Sequence, residues 1–206
     1  MSLNFVEDLN IVGHLQILKV SDKGEEVLFD DHNIIVSGMG LGLAYFFSLS
    51  GTKSVIDFQI DRFQIGVSGS DLYEDPSTNE LLGALSSVTE YGIDASLNTV
   101  SSYHALTSED YNSTPEWFGY IPTYNIARLG NSSVRYTMTL DKEAANSITR
   151  DGEDRAINEI GLFMKNPLGN RFGLDADSSV LVAYRNFSNI IKTEEFALVF
   201  KWVLNF

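Results

Sequence analysis

Three histidines, a glycine run and an acidic loop are the places where this chain could do chemistry, and their spacing tells against each chemistry in turn. His14, His32 and His104 are the only histidines and stand far apart in sequence. Zinc on a helix needs His at i and i+4 with a nearby Glu, and a serine nucleophile of the elbow type needs Gly-x-Ser-x-Gly; the chain has neither. In Asp31-His32-Asn33 the histidine reads as a turn residue hydrogen-bonded locally rather than as a catalytic base. Gly38-Met39-Gly40-Leu41-Gly42 would let backbone amides approach a phosphate. It lacks the Lys-Ser/Thr of a P-loop, the spacing of a dinucleotide fingerprint and any βαβ surroundings, so it reads as a helix packed closely on a sheet. Asp71, Glu74, Asp75 and Glu80 depart from the twelve-residue calcium loop and read as solvated surface. A pair of carboxylates for glycoside hydrolysis is defined by separation in space, so that reading stays open without a motif behind it. The expectation is a chain with no catalytic residue, no cofactor and no metal.

Composition narrows the classes further. The 206 residues fit one domain, long enough to bury roughly 70% of the unfolded surface. There is no cysteine, which removes disulfides, thiolate metal sites and a cysteine nucleophile. A formal charge of −14 argues against nucleic acid, because phosphate binding relies on clustered Lys and Arg. An anionic membrane surface is disfavoured for the same reason. The start, Met1-Ser2-Leu3-Asn4-Phe5, lacks the pattern of a signal peptide, and the longest apolar run, Ile34 to Leu49, is shorter than the ~20 residues of a membrane span.

The elements that must carry these residues read mainly as strands. Ile11 to Val20 and Glu25 to Asp30 form a hairpin across Ser21-Asp22-Lys23-Gly24, and Asp30-Asp31-His32-Asn33 ends it. A short helix follows over Ser37 to Leu49, where Met39, Leu43, Phe46 and Phe47 recur at helical spacing. Strands are expected at Phe58 to Val67, Val134 to Leu140, Ile157 to Met164 and Val180 to Phe187. Turns of helix are expected around Leu81, Leu82 and Leu85 and over Lys142 to Ile148, and a charged loop over Arg150 to Arg155. The fold class is an antiparallel β-sandwich with one short helix and an irregular, aromatic-rich insertion at about 91–124.

Two segments look built for contact. In the last strand Phe196, Leu198, Phe200, Trp202, Leu204 and Phe206 share one face and Ala197, Val199 and Val203 the other, so both faces call for burial, inside the domain or under a neighbouring subunit. In the insertion, Tyr111, Trp117, Phe118 and Tyr120 offer large amphipathic rings. The six side chains of the first face and these four rings are the candidate interface residues. Monomers seldom leave such apolar area exposed, so association into a closed symmetric oligomer is expected.

Three blocks occur in a telling order: His32-Asn33-Ile34-Ile35-Val36 before a glycine-rich helix; Ile157-Asn158-Glu159-Ile160-Gly161-Leu162-Phe163; and Leu181-Val182-Ala183-Tyr184-Arg185-Asn186-Phe187, leading to Ile191-Lys192-Thr193 and a final strand containing Trp202. With Gln64-Ile65-Gly66 between the first two, this arrangement resembles tailed-bacteriophage virion proteins of the tail-fibre, baseplate or collar type. Tyr184, between Ala183 and Arg185, departs from the pattern. The resemblance implies a noncatalytic β-sandwich located in the virion, at the neck, tail or baseplate. Its implied partners are other virion proteins or fibres, met as a homo-oligomeric ring, with no cofactor. A second reading is a carbohydrate-binding module of the tail, its aromatics stacking on a host glycan. Glu159 is expected to cap or to pair with Lys192 or Arg185.

Overall fold

The computed structural model describes residues 11–35, 37–48, 55–66, 73–74, 81–82, 118–146, 149–150, 153–154, 156–164 and 180–206. Strands β1 (Val12–Ser21) and β2 (Gly24–Ile35) form the expected hairpin. Gly24 closes the turn at φ +119, a conformation that side chains rarely adopt. β2 runs past Asp30, where turn chemistry predicted a break. Its polar residues face partners on β1, with His32 opposite His14 and Asn33 opposite Gly13, and the ladder overrides local preference. Gly13 is required there: a Cβ would lie 1.7 Å from Asn33 Oδ1.

Helix α1 (Ser37–Phe47) follows, then a 3-10 turn at Val55–Phe58 and β3 (Ile60–Gly66). β4 (Tyr73–Glu74) pairs with β5 (Leu81–Leu82), so Leu81 and Leu82 form a short strand and not the helical turn their spacing predicted. Leu85 lies outside the described residues. β6 (Phe118–Tyr120), a 3-10 turn at Thr123–Asn125, and β7 (Ile126–Arg128) come next. Residues 118–120, expected to lie in the insertion, therefore belong to the sheet and 121–124 to the link that follows, while the rest of the insertion lies outside the described residues. β8 (Ser133–Leu140) matches its alternation. The helix expected from Lys142 is a turn through Asn146, with buried Ala145 at φ 60. The charged loop after it carries a small hairpin, β9 (Thr149–Arg150) with β10 (Glu153–Asp154). β11 (Ile157–Met164), β12 (Val180–Ile190) and β13 (Phe196–Asn205) complete the chain, β12 outrunning its expected end at Phe187.

Nine strands join in one antiparallel sheet, in the order β6-β3-β11-β12-β2-β1-β13-β8-β7. The protein is mainly antiparallel β with one short α-helix, and the sheet is nearly closed. Two features bend it. β2 pairs with β1 along most of its length but meets β12 only at Ile34 and Ile35, so it is a corner shared by two halves. The outermost strands, β6 and β7, are separated only by residues 121–125, a link that spans at most ~20 Å. Both halves supply one core, with Leu15, Met138, Phe200 and Trp202 from one side and Ile65, Ile160, Leu162 and Val182 from the other. All of β11 is buried, and on β13 buried residues alternate with half-buried ones.

Candidate functional site

The interface candidates divide by accessibility. β13 lies between β1 and β8 and is hydrogen-bonded on both sides, which accounts for its apolar character. Leu198, Phe200, Trp202 and Leu204 are fully enclosed and Phe196 is buried, all within the chain's own core. Their apolar surface is therefore used intramolecularly and is not offered to a neighbour. On the opposite face Ala197, Val199 and Val203 are only half-buried, and Phe206 at the end is exposed. Phe118 and Tyr120 lie on edge strand β6, in register with Gln64 and Arg62 of β3. Tyr111 and Trp117 lie outside the described residues.

Phe206 borders an apolar cleft of about 750 Å³. Met39, Leu43 and Phe46 of α1 form one wall, Ile56 and Phe58 of the 3-10 turn another, and Ile126, Val134, Tyr136 and Met164 come from strand faces. One glycine of the run has its structural explanation here: a Cβ on Gly42 would lie 2.5 Å from Met164 Sδ, so glycine lets α1 settle on the end of β11, whereas a Cβ on Gly40 would meet open space. Phe46 packs edge-on against both Phe47 and Phe58. Ile56 is 54% exposed and Phe206 44%, so apolar groups at this mouth face water, and Phe47, beside Phe46, is 80% exposed. The exposed Tyr124 occupies the link leading into β7.

Folding also gathers polar groups that looked isolated. His14 and His32 are cross-strand partners on the hairpin, an adjacency legible only once the register is known. His14 contacts Asp30, which also accepts from Gln16 Nε2 at 2.9 Å, and these bonds, the Gln16 bond foremost, hold the Asp30 carboxyl below its ordinary pKa. Asp31 accepts from the His32 backbone amide at 2.7 Å, the main cause of its lowered pKa, and pairs with Arg185 at 3.0 Å. Arg185 lies over the Phe29 ring, 5.4 Å from its centroid. Among the described residues, no group of three or more His, Asp or Glu side chains is placed to hold a metal ion.

Two buried ionisable groups, Glu159 and Lys192, are held by separate sets of partners rather than by each other. Glu159 accepts a 2.8 Å hydrogen bond from the Tyr184 hydroxyl; loss of water, reinforced by that carboxylate, pushes the Tyr184 pKa far up. Lys192, 2% exposed, instead donates from Nζ to Thr193 O at 2.9 Å, Asn146 Oδ1 at 3.0 Å and Lys142 O at 3.2 Å. It lies beside a second, polar cleft of about 780 Å³ formed by the β1–β2 turn, the turn after β8 and the approach to β13. Burial lowers its pKa to about 8, opposed by the charges of Glu143 and Asp141.

Among the described residues no helix is long and apolar enough to cross a membrane. No protein-family model, no curated protein and no solved structure matches the chain.

Proposed function

We propose that this protein is a noncatalytic structural subunit whose work is contact with neighbouring subunits in a symmetric assembly. On the resemblance of its three ordered blocks, that assembly is the virion of a tailed phage, at the neck, tail or baseplate, and the near-closed sheet is the sandwich-like body of such a subunit. The observation that supports contact is the apolar cleft with its exposed rim of Ile56 and Phe206, and the exposed Phe47 packed beside Phe46 of its wall. Leaving large apolar groups in water forfeits the burial energy that a neighbour would supply. The strand residues first expected at the interface belong to the core, so the contact surface moves to this rim. Sedimentation over a range of protein concentrations tests the reading. The expected result is association that weakens on Phe47→Asp. A chain that stays monomeric at high concentration and occupies no repeated position in a map of the particle would refute it.

A second reading, glycan binding by the tail, draws on Tyr124, which is 85% exposed on the sheet's connecting link. Glycan-array binding lost on Tyr124→Ala would favour it over subunit contact.

A further inference from the structure

We propose that the turn after β8 and the approach to β13 become covalently joined by an isopeptide bond between Lys192 Nζ and Asn146 Cγ, formed by the chain itself with loss of ammonia. Three features of the geometry carry this. The nucleophile and its target are already in contact, with Nζ 3.0 Å from Asn146 Oδ1, one bond from the carbon to be attacked. The carbonyl oxygen of Lys142 accepts from both groups, from Nζ at 3.2 Å and from Asn146 Nδ2 at 2.5 Å, so a single acceptor holds the nucleophile next to the leaving group. The nucleophile is also shielded: Lys192 is 2% exposed and its Nζ lies 5.3 Å from the centroid of the Phe196 ring, while the half-buried Asn146 opens onto the polar cleft through which ammonia can leave. Holding two reactants this way replaces a bimolecular encounter by an intramolecular one, which removes the entropy cost of bringing them together.

The atoms balance without a co-reactant. The neutral amine of Lys192 attacks Cγ, the Nζ–Cγ bond forms, the Cγ–Nδ2 bond breaks, and one proton passes from Nζ to Nδ2, which departs as ammonia. A carboxylate is needed to carry that proton. Glu143, three residues before Asn146, exerts the strongest acidic field on Lys192, followed by Asp141; Glu194 and Glu195 line the same cleft from the approach to β13. Lys19 of β1 reaches the Phe196 ring too, 4.9 Å from its centroid. The three carbonyl acceptors favour the ammonium form, whereas the loss of water that brings Lys192 to about 8 makes the free amine accessible in mildly alkaline solution. Ala145, held at φ 60 and buried, fixes the turn that presents Asn146.

The test is the intact mass of the purified full chain, held above the Lys192 pKa until no further change occurs, followed by proteolysis. The expected result is a mass lower than that of the sequence by one ammonia, and a branched peptide joining Asn146 to Lys192. An unchanged mass overturns the proposal. So does loss of ammonia without the branched peptide, which would mark a succinimide at Asn146-Ser147, or loss that persists in Asn146→Ala. The wild-type mass decides the matter, whether or not a variant folds.

Discussion

Trp202 gives the most direct measure of how this core is held. Its indole is fully enclosed on β13, between Leu15 of β1 and Tyr136 of β8 in register. Truncating a buried aromatic to alanine typically costs ~3 to 5 kcal/mol, lost transfer energy plus a cavity. That is a large part of the about 5 to 15 kcal/mol of net stability a domain possesses. The indole also carries a liability, since Nε1 is buried with no hydrogen-bond partner among the described residues. A buried unsatisfied donor costs ~1 to 3 kcal/mol. Trp202→Phe removes that donor while keeping a ring, so its loss of volume is partly offset and the variant should fall within about 2 kcal/mol of the wild type. Trp202→Ala should fall by the full ~3 to 5 kcal/mol. Urea unfolding followed by far-ultraviolet circular dichroism is the appropriate assay, because the substitution removes one of the chain's two tryptophans and alters the fluorescence signal itself. The midpoint should shift with the slope unchanged. If Trp202→Ala unfolds within about 1 kcal/mol of the wild type, the ring is not packed as described; if Trp202→Phe costs as much as Trp202→Ala, the indole nitrogen is satisfied and the reasoning about it fails.

Two further outcomes are expected. Gly13→Ala should destabilise by about 1 to 3 kcal/mol, because its Cβ meets Asn33 Oδ1, and Asn33→Ala in the same chain should recover most of the loss; equal melts for single and double variants would show the clash is not the cause. Alkaline stability should fall above pH 10: burial raises Tyr136 from 10.0 to about 12, so the folded state keeps a proton that the unfolded state releases. Over that window the loss approaches ~3 kcal/mol, with Tyr184 adding to it in the same direction, and Tyr136→Phe should flatten the profile measured by urea midpoints.

Alternation alone was enough to place β8, because a period of two is a property of neighbouring residues and survives in any strand with one buried face, whereas β11 and the body of β13 were legible as apolar runs of strand length. The hairpin turn and α1 were legible for the same local reason, and of the glycines read as close-packing Gly42 has that role while Gly40 does not. What the sequence could not decide was which strand lies beside which. The doubly apolar β13 reads equally as core or interface until β1 and β8 are seen on either side of it. Asp30 to Asn33 read as a turn until β1 supplies the opposing ladder. His14 and His32, distant along the chain, become neighbours only through register, and Lys192 meets Asn146 only because the turn after β8 folds back over the approach to β13. Periodicity is a short-range signal, whereas each of these pairings is set by the free energy of long-range contacts, which only the assembled sheet determines.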